Sequence, residues 1–250
     1  TSMLNIITVY RFGSIDDLDL TISSILAQSE MEISVFFILS NASTEDTDWL
    51  NGRLCGRIQY SMIVNKDASL YNAMNLGLAS VKEGGLFFLN GGDEFYNSES
   101  ASLLAEYAGR ECPVLFSTLQ IYKKHKYLRS PNCDYPAHQG FFIERNLVES
   151  FEFDENLTIA ADHYWMKRFI EVHGYEINQM IISQFVLGGV SNYPSLKSIR
   201  ARYRSQGFNR AFREGLKYML AKILGGTLYY KFLLGARMKD GVGSDDKYFS

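Results

Sequence analysis

Cysteine is scarce: Cys55, Cys112 and Cys133 are the only three in 250 residues. They form neither a CxxC pair nor an even set, which sets aside a disulfide framework and a zinc site and leaves ordinary reduced thiols in a cytoplasmic setting as the expectation. Long apolar runs are missing too. No stretch reaches the roughly 18 apolar residues that span a bilayer, and no basic segment leads into an apolar one at the N-terminus, so neither a membrane helix nor a signal peptide is expected. No internal repeat is visible. What is present is globular in character: 46% hydrophobic and 21% charged residues, with 16 Tyr and 17 Phe. A chain of this length makes one large domain, or one domain with an extension, and buries roughly 70–75% of its unfolded surface.

The net charge of −3 hides an asymmetry. Residues 195–239 hold Lys197, Arg200, Arg202, Arg204, Arg210, Arg213, Lys217, Lys222, Lys231, Arg237 and Lys239, opposed only by Glu214. Acids therefore dominate the rest of the chain.

Along the chain, apolar Leu4–Tyr10 predicts a buried strand. Ser14 with Asp16 and Asp17 then caps a helix carrying Leu18, Ile22, Ile25 and Leu26. The continuous apolar run Ile33–Leu39 predicts a strand covered on both faces, ending in polar SNASTEDT. Ile58–Val64 is a third strand, Ser69–Val81 a helix, and Leu86–Leu89 a fourth strand whose end carries Gly91, Gly92 and Asp93. Such alternation predicts a parallel α/β sheet with its ligand crevice at the carboxyl ends of the strands. Polar residues gather there: Thr8 and Tyr10, Ser40 and Asn41, Asp67, Asn90 and Asp93. Beyond Asp93 the pattern loosens into a helix at 98–107, a hairpin over 114–122 and 126–129, a strand at 140–143, a helix at 159–172 and a last strand at 177–186 ending at Gly188 and Gly189. From 195 onward a helical signal is interrupted by Gly207 and by Gly225–Gly226.

A parallel half followed by a mixed half, with one acid at the middle strand and another about seventy residues later, suits transfer of a sugar from a nucleotide diphosphate. A divalent cation held by Asp93, Mn2+ or Mg2+, would stabilise the departing diphosphate, taking its other ligands from phosphate and water. A positioned carboxylate would draw the proton from the attacking hydroxyl, and Asp162 at a helix start is the candidate. Capping of that helix is its competing role.

The string DASLYNAMNLGLASVKEGGLFFLNGGD, residues 67–93, resembles the central block of family 2 glycosyltransferases of GT-A fold: an Asp, a helix with YxAMNxG, and a strand ending in LNxGD. TVYRFGSIDDLDLTISSILAQS (8–29), HQGFFIERNL (138–147) and IAADHYWMKRF (159–169) are similar to three further blocks in the same order, so the resemblance covers about residues 4–195. It implies that Asp93 is the metal-binding acid, Asp162 the general base of an inverting displacement, and Asp67 a contact to the nucleotide. It implies that Thr8, Val9 and Tyr10 line the nucleotide site, with Asn41, Asn72, Asn75 and Asn90 beside them. For the last three, local capping is the competing role. Gly92, His138 and Gln139 are implied substrate contacts, and a packed core histidine is the other reading of His138.

Departures from the pattern matter. Ser40–Asn41 stands where many relatives place an acid that reads the base. Ala68–Ser69 replaces an Arg-Gly, and Gly92 replaces the first acid of a paired motif. The letters Gly91–Phe95 also spell the signature of diguanylate cyclases. That motif belongs on a hairpin with strand continuing after the Phe, whereas here Tyr96–Ser100 reads as a turn and helix cap.

The basic tail, in which arginines interleave with Tyr203, Phe208 and Phe212, suits an anionic lipid surface. A helix packed on the core and a homo-oligomer contact are the alternatives, and no nucleic-acid module is present. The expectation is thus a GT-A domain over 3–194 with a basic amphipathic helical extension over 195–250. The protein would be a peripheral enzyme at the inner face of the cell membrane. It would transfer a hexose from a nucleotide-diphosphate sugar, UDP-linked in preference, to a polyprenyl-linked or oligosaccharide acceptor. The resemblance points to bacterial capsule, O-antigen or exopolysaccharide assembly, notably to colanic-acid type enzymes. A nucleotidyltransferase and a catalytically silent sugar-binding scaffold are the alternatives.

Overall fold

Strand β1 (Leu4–Arg11), helix α1 (Ile15–Leu26) and strand β2 (Ile33–Ser40) open the chain, followed by α2 (Thr44–Leu54), β3 (Gln59–Val64), α3 (Leu70–Ser80) and β4 (Gly85–Phe88). A short β5 (Asp93–Phe95), α4 (Ser100–Ala105), β6 (Val114–Tyr122) and β7 (His125–Arg129) come next. A 3₁₀ turn (His138–Gly140) leads into β8 (Phe141–Glu144), a second one (Arg145–Val148) follows, and α5 (Ala161–His173), β9 (Glu176–Val186) and α6 (Leu196–Met238) complete the order. This computed structural model describes residues 3–29, 32–66, 69–122, 125–148, 151–157, 160–187 and 195–238.

The strands form a mixed sheet in the order β3-β2-β1-β4-β8-β6-β9-β5, with β7 paired to β6. Its first four are parallel, and the direction reverses where β8 runs antiparallel to β4. The chain crosses from β1 outward to β2 and β3, then returns to place β4 on the other side of β1. That leaves a crevice at the carboxyl ends of β1 and β4, the usual place for a ligand in such sheets.

Alternation along the strands divides the core. Leu4, Ile6 and Tyr10 of β1 pack with Leu18, Ile22 and Ile25 of α1, Leu50 and Leu54 of α2, and Leu104 of α4. Ile7 and Val9 face the opposite way, toward Met74 and Leu78 of α3 and Trp165 and Phe169 of α5. One layer of sheet is therefore covered on both sides, which is why its central strands read as unbroken apolar runs.

Helix starts follow local chemistry. The Ser14 hydroxyl accepts from the Asp16 amide at 3.2 Å, with Asp16 and Asp17 in the first turn. The periodicity reading passed over α2, because Leu50 and Leu54 are its only buried residues. Its signal was a capping box, Ser43 accepting from the Asp46 amide while Asp46 accepts from the Ser43 amide at 2.8 Å.

Two expectations are corrected. Asp93 does not end β4, which stops at Phe88; a turn intervenes and Asp93 opens β5, paired antiparallel with β9. The glycines at 207, 225 and 226 do not interrupt the tail, because α6 runs 43 residues through them, about 65 Å at 1.5 Å per residue. The chain divides into two compact units, Thr1–Val186 and Leu187–Ser250. The boundary expected after residue 194 closes a segment, 188–194, that lies outside the described residues, as do Gly188 and Gly189.

Close packing of α3 on the sheet depends on Gly77, where an added Cβ would run into the Ile7 side chain, itself fully buried. Gly77→Val is expected to destabilise the fold by about 1–3 kcal/mol through overpacking. The urea midpoint checks this, and an unchanged midpoint would show that α3 has room to move.

Candidate active site

The turn between β4 and β5 is built to fix one carboxylate. The Asp93 amide donates to the Asn90 carbonyl at 2.9 Å, and Gly92 between them takes a φ of +93°, which suits glycine. Thr21 of α1 holds this turn from behind. Its hydroxyl donates to the Asp93 carbonyl at 2.7 Å and accepts from the Gly92 amide at 2.9 Å. The Tyr10 ring occupies the space that a Cβ on Gly91 would need, and the Tyr10 hydroxyl donates to the Ser14 carbonyl, closing the β1–α1 loop over the same turn.

Asp162 reaches this turn through His138. The imidazole Nδ1 lies 3.2 Å from Asp162 Oδ2, while Nε2 lies 3.9 Å from Asp93 Oδ2 and 3.3 Å from Asn90 Nδ2. The Tyr71 hydroxyl of α3 donates to Asp162 Oδ1 at 3.3 Å. The His138 ring, Asp93 and Asp162 retain 21%, 13% and 27% of their side-chain exposure, so the cluster is sunk in the surface yet reachable.

Asp162 is aimed by the helix that carries it. Trp165, one turn further along α5, stacks on Phe153 at 4.6 Å between centroids, meets Phe88 and Phe141 edge-on, and donates its indole N–H to the Phe151 carbonyl at 2.8 Å. Ala160, the residue before the helix, sits at φ +71° without a side-chain cap. Asp162 therefore does not fill the N-cap position. It lies inside the first turn and accepts from the His163 amide and from two side chains.

The two acids differ electrostatically. Burial pushes the Asp93 carboxyl up from an ordinary 3.8 to about 6, while the charge of His138 and the Gln139 side chain pull it partly back. Burial acts on Asp162 in the same direction but is outweighed. Hydrogen bonding and charge from His138, the His163 amide and the Tyr71 hydroxyl hold it below the usual carboxylate range. Burial and the Asp162 charge raise the Tyr71 phenol in turn, keeping it a neutral donor.

Asp93, Gln139, His138, Asn90 and Asp162 thus come together from segments far apart in sequence, with Gly92 in the supporting turn. Thr8 and Val9 lie within β1 and are buried; Tyr10 acts through the turn it covers. Asn41 follows β2 at φ +57° and is exposed. Asn72 and Asn75 turn elsewhere. Asn72 donates to Glu155 at 3.1 Å, and Asn75 donates to the Phe153 carbonyl at 3.0 Å and accepts from its amide at 2.8 Å, so both tie α3 to the segment that leads to α5. Asp67 lies outside the described residues. The sequence reading missed two members, Thr21 and Tyr71. Both stand in quoted blocks, Tyr71 in YNAMN and Thr21 in residues 8–29, but no local pattern marks either as a site residue.

A divalent cation can be tested against these residues. Among the described residues no three His, Cys, Asp or Glu side chains converge on a cation position. However, Asn90 Oδ1, in the turn that leads to Asp93, is buried without a hydrogen-bond partner. A carboxyl raised by burial and an unpaired amide oxygen in the same turn are hard oxygen donors that suit magnesium or manganese.

The fold has counterparts among solved structures. TarS residues 1–349 of S. aureus superposes with a TM-score of 0.60 at 11% identity, over 87% of this chain and 72% of that one. The chain has the GT-A fold. This GT-A chain also matches TarS 1–349 in complex with UDP-GlcNAc, at a TM-score of 0.60 and 11% identity over 99% of this chain and 78% of that one. The mannosyltransferase PcManGT of Pyrobaculum calidifontis, in complex with GDP-Man and Mn2+, matches at 0.58 and 10% identity, over 86% and 64%. The chain spans 43% of the longer TarS structure. No protein-family model and no curated protein sequence matches it. At such identity the GT-A likeness speaks for the fold, and activity has to be argued from the site.

The raised Asp93 carboxyl makes the fold pH-sensitive. Because the native state holds this proton more tightly than the unfolded chain, the group's contribution is fully present below about pH 4 and is lost as pH rises toward 6, roughly 3 kcal/mol over that window. Asp93→Asn is therefore expected to be more stable than the parent at pH 7.5 and to lack the decline between pH 4 and 6. Urea unfolding across that range checks it, and an undiminished decline in the variant would place its source elsewhere.

Proposed function

We propose that this chain is an inverting glycosyltransferase that moves a hexose from a nucleotide-diphosphate sugar to a lipid-linked or oligosaccharide acceptor. The observation that carries the reading is the convergence of Asp93 and Asp162, of opposite electrostatic character, on the two nitrogens of one imidazole. One acid has its proton affinity raised by burial, as an unliganded carboxylate reserved for a cation would. The other is held ionised, as a base must be before it accepts a proton.

Asp93 and the Asn90 side-chain oxygen are the groups that would hold magnesium or manganese, which when bound would neutralise charge on the departing diphosphate. Asp162 does the remaining acid–base work. Tyr71, His138 and the His163 amide take three acceptor positions on its two oxygens, which leaves about one of the roughly four for an acceptor hydroxyl. As that hydroxyl oxygen forms its bond to the anomeric carbon, its proton passes to Asp162 and the bond to the nucleoside diphosphate breaks on the opposite side, inverting the centre. Transfer of the proton to a placed carboxylate supplies about 10²- to 10⁴-fold. His138 and Tyr71 fix the carboxylate's direction, and Trp165 fixes the helix beneath it.

Asn41 and Asp67 are proposed to form the nucleotide side, backed by Thr8, Val9 and Tyr10 of β1, which are themselves buried. UDP-linked donors are favoured, since TarS was solved with UDP-GlcNAc, while PcManGT was solved with GDP-Man. The acceptor is placed in bacterial surface-polysaccharide assembly, with the enzyme at the inner face of the cell membrane. No described helix is long and apolar enough to cross a bilayer.

Asp162→Asn is expected to retain donor binding and lose transfer by at least about 10²-fold, with nucleoside diphosphate release as the readout; near-parental turnover would remove Asp162 from its role. Asp93→Ala should abolish manganese-dependent donor binding in calorimetric titration, and in the parent that binding should weaken as pH falls below about 6, where a proton competes for the same oxygen. Release of pyrophosphate in place of nucleoside diphosphate would favour a nucleotidyltransferase.

A further inference from the structure

Helix α6 exposes a continuous apolar side. Phe208, Phe212, Leu216, Met219 and Ile223 are 69%, 57%, 45%, 58% and 75% exposed. Their spacing gathers all five within an arc of about 80° at about 100° per residue, over a length of about 22 Å. Exposed Arg213 lies about 100° to one side of Phe212 and exposed Lys222 about 80° to the other. The opposite side carries Ala221, 1% exposed, and Glu214, which pairs with Lys217 at 3.5 Å. Leu196 and Tyr203 are exposed elsewhere around the helix and do not extend the stripe.

Five large apolar side chains held in water over four turns make a patch of the kind that marks a docking surface. Charge selects what docks. The tail from 195 to 239 carries eleven Lys and Arg against one Glu, so a second α6 laid along the stripe would meet like charge at its flanks. An anionic bilayer accepts both features at once: acyl chains receive the apolar stripe, and phosphates receive the flanking cations, whose long stems reach outward to the headgroups. No described helix is long and apolar enough to cross a bilayer, and the stripe over 208–223 with its flanking cations suits the plane of the interface.

We propose that α6 seats this protein on an anionic lipid surface through Phe208, Phe212, Leu216, Met219 and Ile223, with Arg213 and Lys222 at the headgroups. The inference gives the peripheral placement proposed above a defined surface, and rests on that reading only for what the contact serves. Membrane seating would bring the enzyme to acceptors that reside in the bilayer.

The test is co-sedimentation of the full chain with vesicles of phosphatidylcholine, alone or with about one third phosphatidylglycerol. Binding is expected to be at least about tenfold tighter to the anionic vesicles and to fall with added salt. Phe212→Ser combined with Ile223→Ser should weaken it roughly tenfold or more. Arg213→Gln combined with Lys222→Gln should flatten the salt dependence, and Leu228→Ser, exposed on another side of the helix, should change nothing. Equal binding by the stripe variant, equal binding to neutral vesicles, or an equal loss in Leu228→Ser would overturn the proposal. So would a vesicle-independent dimer that the stripe variant dissolves, which would identify a second copy as the occupant. Manganese-dependent donor turnover, measured without vesicles, reads the glycosyltransferase proposal separately.

Discussion

One imidazole stands between two carboxylates at the mouth of the β1–β4 crevice, and the site depends on its being held there. His138 sits on a 3₁₀ turn pressed against β6, where Gly140 leaves no room for a side chain between itself and the Phe116 carbonyl. The Ser183 hydroxyl of β9 donates to the neighbouring Gln139 carbonyl, and the Gln139 side chain bonds Asp93. A shift of this short turn would take the imidazole away from Asp93 and Asp162, the two acids it contacts through its two nitrogens.

The rest of the fold reads as a set of supports for that contact. Thr21 pins the Asn90–Asp93 turn from α1, Tyr10 covers it from β1, and β9 pairs with the strand that Asp93 opens. From the other direction, Trp165 locks α5 onto β4 and β8, while Asn72 and Asn75 fasten the segment that enters α5. Two polar residues expected near a nucleotide thus have architectural partners. This is the ordinary fate of an asparagine on a helix whose neighbours offer backbone groups in need of partners.

The same separation of roles extends to charge. Acids predominate in the unit that carries the crevice, where burial raises the Asp93 carboxyl. Bases predominate in α6, where an apolar stripe lies between cations. Each unit presents the sign that complements its proposed ligand, a cation with a diphosphate in one case and a lipid phosphate in the other.

Much of this was legible beforehand. Apolar runs marked β1, β2 and β4 because strands covered on both faces need apolar residues at every position, and a serine cap marked α1 because an unpaired helix amide needs a local acceptor. Asp93 and Asp162 stood out within ordered blocks of similar sequence. Periodicity missed α2, whose buried face is only two leucines, and read glycines as breaks in α6, although a helix tolerates a single glycine at roughly 1 kcal/mol.

Sequence by itself determined the alternation of strands and helices, the polar strand ends, the two acids and the basic tail, since each is set by residues close together in the chain. Tertiary structure alone decided that His138 joins those acids, that Thr21 and Tyr71 serve them, and that burial raises one carboxyl while hydrogen bonds lower the other. Those properties depend on which segments meet and how much water they exclude. Pairing between positions dozens of residues apart is fixed by packing, and no local pattern encodes it.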